Sequence, residues 1–286
     1  MLPRKVLHNV ELKRFLKNKV SFFGFILVIF TLLLAILSPY ISTHDPMTQN
    51  IIKRFTKPSW EYLGGTDRFG RDIFSRTVYG SRISLTVGFA ATFLGAMLGT
   101  ILGLIAGYGK GMVSKGIVWL TDVFMSFPTM VLAIIVVVAF GPGTQNVIIA
   151  IGLAFTPRFI RLARASTLSI SEQVFIEASR ATGQSSLGII RRHILPNIAG
   201  DIIVMSTLWI ATAIRLEASL SFLGLGTQPP TPSWGNMIRE GMLYFMRAPW
   251  LSLIPGAGIF CAVIGFNMLG DGIRDVLDPK LRGRLT

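Results

Sequence analysis

The sequence is poor in the residues that metal sites and most active sites are built from. It has one cysteine, Cys261, and three scattered histidines, His8, His44 and His193, in 286 residues. A single thiol excludes an intrachain disulfide and a cysteine-based zinc site, and three isolated imidazoles do not make a histidine-rich one. Any metal is therefore expected as cargo. Acidic residues are also few: 14 Asp and Glu stand against 28 Lys and Arg. No G-x-x-x-x-G-K-[ST] phosphate cradle is present, because Gly109, Lys110 and Gly111 lack its spacing. There is no H-E-x-x-H, no nucleophile elbow and no Cys-His arrangement. The chain thus shows no catalytic machinery, and a nucleotide-driven process would need its nucleotide site on another chain.

What is abundant is apolar. With 51% hydrophobic and 15% charged residues and a mean hydropathy of +0.59, the chain is too apolar for a soluble protein of this length. An all-α, polytopic membrane protein is predicted. The formal charge of +14 would suit nucleic acid, but the Lys and Arg residues flank apolar runs and form no stripe. The lipid bilayer, and not nucleic acid, is the expected partner of that charge.

Six transmembrane helices are predicted. The first covers residues 20–42, too long for a signal-peptide core and without a convincing cleavage site. The second runs from about Ile83 to Tyr108, and the third from about Gly116 to Phe140 with a kink at Pro128. A fourth descends from about Asn146 to Pro157, a fifth starts near Gly200, and a sixth covers about residues 249–269. Placing both termini in the cytoplasm puts 18 Lys and Arg inside and nine outside, with Arg215 in the membrane. Seven of those nine crowd residues 53–82, against the trend. In that loop Asp67, Arg68, Arg71 and Asp72 are expected to form local salt bridges, the alternative being contact with a binding protein or peptide termini. Residues 227–248, with Pro229, Pro230, Pro232 and Trp234, are too proline-rich to span and belong at the outer interface.

Several residues within the spans stand out. Gly95, Gly99, Gly103 and Gly107 recur every fourth residue, a flat stripe on which another helix can pack closely. Asp122 near the inner end of the third span has two readings, a partner for a basic residue of the loop after the fourth span or a carboxylate facing water. Arg158, Arg161 and Arg164 are read as inner headgroup anchors, or as residues reaching towards a nucleotide-binding partner. Arg215 and Glu217 are ionisable at membrane depth, which points to a water-lined cavity or a protein-facing position, and being two apart they face different ways. Glu217 is expected to tether the bundle or line a cavity or pathway.

Residues 177–197, EASRATGQSSLGIIRRHILPN, read as two short helices around a glycine elbow. Ser171 is expected to cap the first, Gly183 to end it in the left-handed region, and Ser185 or Ser186 to cap a second that stops before Pro196. Each helix has a small apolar face, Phe175, Ile176 and Ala178 on one and Leu187, Ile190, Ile194 and Leu195 on the other. By the positive-inside rule such a basic, amphipathic turn between spans is expected on the cytoplasmic face, where a soluble partner or lipid headgroups can meet it, and it reads as a docking elbow. Its Glu177, Ala178, Gly183, Ile194, Leu195 and Pro196 resemble the EAA loop of the membrane subunits of ABC importers, and the stretch LGGTDRFGRDIFSRTVYGSRISL, the EA-x-LSFLGLG stretch around Glu217 and the tail GDGIRDVLDPKLRG resemble the C-type subunit of the oligopeptide, dipeptide and nickel importers.

That resemblance implies a type I importer permease of six helices, with an N-terminal unit at 1–80 and a five-helix core at 81–286 carrying the EAA loop at 171–197. It implies a cytoplasmic membrane location without a cleaved leader, a homologous second permease, two ATP-binding subunits that hold the ATP and magnesium, and an extracytoplasmic binding protein. Peptide is the commonest cargo of the branch; nickel chelates, glutathione and some sugars are alternatives. A channel or secondary carrier independent of ATP, or a scaffold that transports nothing, are the rival classes.

Overall fold

A computed structural model describes residues 18–277. Basic residues Arg4, Lys5, Lys13, Arg14, Lys17, Lys280, Arg282 and Arg284, and His8, lie outside them. Among the described residues the chain is predominantly helical, with one isolated bridge, Thr66 to Asp72, and no strand. In chain order the helices are α1 (Lys19–Ile36), α2 (Ser38–Ile41), α3 (Ile73–Tyr108), α4 (Met112–Met125), α5 (Thr129–Phe140), α6 (Thr144–Ser171), α7 (Val174–Ala181), α8 (Ser186–Ile189), α9 (Leu195–Phe222), α10 (Trp234–Met242) and α11 (Trp250–Leu277). Five helical rods, α1, α3, α6, Ser186–Phe222 and α11, are long and apolar enough to cross a membrane, and the bent pair α4–α5 makes six if it counts as one span.

Close backbone approach holds the bundle together. A Cβ added to Gly95 would stand 2.9 Å from the Gly152 carbonyl oxygen and from Phe155 Cβ, one on Gly103 2.6 Å from Ala163 Cβ, and one on Gly107 2.7 Å from Thr167 Cβ. Gly99 abuts Phe159 in the same way. The whole stripe thus lies on α6, running parallel to it with a constant offset. Gly24 and Gly265 do the same between α1 and α11, where added Cβ atoms would meet Met268 Cβ at 2.5 Å and Leu27 Cβ at 2.9 Å.

Four features differ from the expected layout. The second span starts ten residues earlier, at Ile73, because Asp72 caps it by accepting from the Ser75 N–H at 2.9 Å. At about 1.5 Å per residue its 36 residues reach about 54 Å, well beyond the roughly 30 Å hydrocarbon core. The third span is no gentle kink: α4 and α5 meet at 96°. Pro128 lacks an N–H and disfavours helical geometry at Phe127, so the ladder stops and restarts. α6 passes through Pro157 and ends at Ser171, whose buried Oγ has no hydrogen-bond partner, so Ser171 caps nothing. Finally, α11 continues past Asp271 to Leu277.

The loop over residues 43–72 folds against α10 and the starts of α3 and α11. Arg71 pairs with Asp67 (2.5 Å) and with Glu240 of α10 (2.9 Å), and Lys53 pairs with Glu61 at 3.1 Å. Arg76, 1% exposed, donates to the Pro46 carbonyl at 3.0 Å and that of Pro230 at 3.4 Å. Trp234 is buried and donates its indole N–H to the Thr77 carbonyl at 2.9 Å. Of the seven basic residues at 53–82, Arg71 is ion-paired inside this folded unit, Lys53 on its surface, and Arg76 is buried against backbone carbonyls.

Candidate functional site: the elbow between the fourth and fifth spans

The elbow is built from local signals. α7 carries Glu177 in its first turn and Arg180 in its last, each favourable to the helix dipole. It closes in a Schellman turn: Gly183, at φ +78°, donates to the Arg180 carbonyl (3.0 Å) while Gln184 donates to that of Ser179 (3.2 Å). A residue with a Cβ is strained at that φ. Ser185 caps α8 by accepting from the Gly188 N–H at 3.2 Å.

The second helix does not stop before Pro196. Residues Ile190–Ile194 form a π turn, in which the Leu195 N–H reaches the Ile190 carbonyl, and the helix runs on into α9. The wider turn accommodates the missing N–H of Pro196, which then occupies a first-turn position of α9 where no donor is required. Asn197 donates to the His193 carbonyl at 2.6 Å. One rod, Ser186–Phe222, thus contains both the elbow's second arm and the fifth span.

The elbow has an inner and an outer face. Ile176, Ile189, Ile194 and Ile198 are buried against Leu104 of α3 and Ala163 of α6. Arg180 lies over the Tyr108 ring at 5.2 Å, and His193 contacts Gln184 at 3.2 Å. Outward stand Val174 (80% exposed), Leu187 (65%), Phe175 (45%) and Leu195 (39%). Glu177, Ala178, Gly183 and Pro196 are exposed as well, while Ile194 is in the core. The predicted apolar faces are therefore split: Ile176 and Ile194 seat the elbow, while Leu187 and Leu195 are exposed and Phe175, also exposed, meets only the edge of the His193 ring at 6.1 Å. Ile189 and Ile198, missed in the sequence, complete the seat; their i, i+9 spacing is visible only if the helix continues through the π turn.

The other singled-out residues lie apart from the elbow. Asp122 pairs at 2.9 Å with Arg161 of α6 instead of with a basic residue of the elbow, and its carboxylate is exposed, as the second of its two readings expects. Arg158 donates to the Thr129 hydroxyl at 2.5 Å and lies 4.9 Å over the Trp209 ring, which corrects its reading as a headgroup anchor. Glu217 is 1% exposed and accepts from Ser84 (2.8 Å) and Ser221 (2.7 Å), joining α3 to α9. Arg215 is exposed on another face, with its guanidinium 3.2 Å from the Thr212 hydroxyl.

Comparison with known proteins agrees with this architecture. Residues 99–283 match the family described as binding-protein-dependent transport system inner membrane component, and residues 11–58 match the N-terminal TM domain of oligopeptide transport permease C. The chain is 44% identical to the dipeptide transport system permease protein DppC of Alkalihalophilus pseudofirmus, over 94% of this chain and 89% of that one. It is 43% identical to the glutathione transport system permease protein GsiD of Escherichia coli O6:K15:H31, over 95% and 90% respectively. Among solved structures, an inward-facing form of the MetNI methionine ABC transporter superposes with a TM-score of 0.59 at 20% identity, covering 72% of this chain and 98% of that one, a likeness of fold. The chain therefore belongs to the binding-protein-dependent transport permeases, as a non-catalytic, multi-pass inner-membrane subunit of an ABC importer in the oligopeptide permease C branch.

Proposed function

We propose that this subunit forms half of a pathway for short peptides, paired with a homologous permease, fed by an extracytoplasmic binding protein and driven by two ATP-binding subunits that hold the ATP and magnesium. Both termini and the elbow face the cytoplasm, following the distribution of basic residues. The exposed face of the elbow, with Glu177, Ala178, Gly183, Leu195 and Pro196, docks in the ATPase subunit, and Ile194 anchors it from behind. What carries this reading is the unbroken rod Ser186–Phe222, with the elbow's exposed apolar face at one end and the span at the other. A displacement of the elbow must then move the fifth span, which is the coupling that alternating access requires. Glu217 tethers the moving rod to α3, and the glycine stripe keeps α3 and α6 as one body.

Peptide cargo rests on the relatives named for dipeptide, peptide and glutathione transport. Glutathione, itself a modified tripeptide, is the second reading, favoured by the 43% identical relative. Co-expression with candidate ATPase subunits tests the coupling. Wild type retains them through purification, and Gly183→Pro or Glu177→Lys loses both them and peptide uptake. Retention with unchanged uptake in both variants defeats the reading, as does uptake independent of ATP.

A further inference from the structure

Between α1 and α3, on the side of the 43–72 loop, lies an open groove of about 750 Å³. Its wall is apolar, with Leu32 and Ile36 from α1 and Leu85, Phe89 and Phe93 from α3, and its one charged lining residue is Arg82. Arg82 is exposed and has no hydrogen-bond or ion-pair partner among the described residues.

The depth of that cation follows from the register of the two helices. Ala35 and Leu85 belong to one packed cluster, and further out the hydroxyls of Thr43 and Ser75 are 3.4 Å apart. Arg82, three residues outward of Leu85 and so about 4.5 Å beyond it along α3, lines the groove together with Ile36, the last residue of α1. A lone cation at the outer end of an apolar wall suits the boundary where hydrocarbon gives way to headgroups. From Arg82 to Phe93 the wall descends about 16 Å along α3, which matches the roughly 15 Å thickness of one leaflet's hydrocarbon.

We propose that this groove holds a glycerophospholipid of the adjacent leaflet, its phosphodiester on the Arg82 guanidinium and an acyl chain along Leu85, Phe89 and Phe93. Water has too few polar partners on such a wall to fill it. A helix of a neighbouring subunit laid there would have to bring its own acceptor to Arg82, whereas a phospholipid carries phosphate and hydrocarbon at the required spacing. The lipid would fill the space that α1 leaves open, since its close glycine contacts are with α11, on another side.

The site is tested in the assembled transporter by replacing Phe93 with p-benzoylphenylalanine and irradiating it in membranes of phosphatidylethanolamine and phosphatidylglycerol. A crosslink to phospholipid is expected, falling about fivefold in Arg82→Glu and largely restored in Arg82→Lys. Ala90→Trp, which fills the groove and keeps the cation, lowers the lipid crosslink as well. A crosslink to another polypeptide, or a lipid yield unchanged in both Arg82→Glu and Ala90→Trp, overturns the proposal. Neither outcome bears on the elbow, which lies at the opposite end of α3.

Discussion

Truncating Ile176 should separate the two faces of the elbow. Its side chain is fully buried with Ile189, Ile194 and Ile198 against Leu104 and Ala163. Cutting a buried isoleucine to alanine costs about 2–5 kcal/mol, more where the surroundings cannot collapse. α7 has eight residues, fewer than the roughly 12–15 an isolated helix needs to be even marginally stable in water, so the seat rather than the helix itself holds it in place. A loss of about 3 kcal/mol raises the population of locally opened elbow roughly a hundredfold. Native-state hydrogen exchange of the purified chain reads this directly: amides of residues 174–194 lose protection in Ile176→Ala, while those of α6 and α11 keep theirs. Leu187→Ala is the control. That side chain is 65% exposed, so its truncation stays within about 0.5 kcal/mol in stability yet weakens retention of the ATPase subunits. Unchanged protection in Ile176→Ala, or equal destabilisation by Leu187→Ala, refutes the division into a seat and a docking face.

Three further perturbations follow. Gly99→Leu forces a side chain into Phe159 and the Thr156 carbonyl, 2.8 Å from the added Cβ, and should cost about 1–3 kcal/mol or more in overpacking, seen as a lowered thermal midpoint in detergent. Glu217→Ala leaves the Ser84 and Ser221 hydroxyls without their acceptor at about 1–3 kcal/mol per unpaired group, and Glu217→Gln, which keeps an acceptor oxygen, should restore most of the loss in the same melt. Asp122→Ala removes an exposed ion pair worth about 0–1 kcal/mol, so stability and uptake should both stay near wild type; a large loss would mean that Asp122 does more than pair with Arg161.

The parts legible in the sequence were those set by local chemistry. Glycines at every fourth position have one use in an apolar helix, and Gly183 after a short amphipathic helix marks a left-handed stop. What escaped depends on partners far along the chain. The polar start of α3, with Ser75, Arg76, Ser81 and Arg82, reads as loop until the carbonyls of Pro46 and Pro230 are seen to receive Arg76. Arg158 and Arg161 read as a surface row, but their partners Thr129 and Asp122 lie 29 and 39 residues away. Proline marked three breaks, at Pro128, Pro157 and Pro196, and only the first was real. At Pro128 the helix turns through a right angle, whereas at Pro196 a π turn carries it on, a choice made by the burial of Ile189, Ile194 and Ile198 beneath the turn.

In the proposed mechanism this chain moves solute only when a separate ATPase pushes on its elbow. Dipeptide uptake into proteoliposomes holding the two permeases and the binding protein, with and without ATPase subunits and ATP, tests that dependence. Uptake confined to vesicles that hold both, and abolished by Gly183→Pro, is the predicted result. Equal uptake into vesicles lacking the ATPase subunits would contradict it.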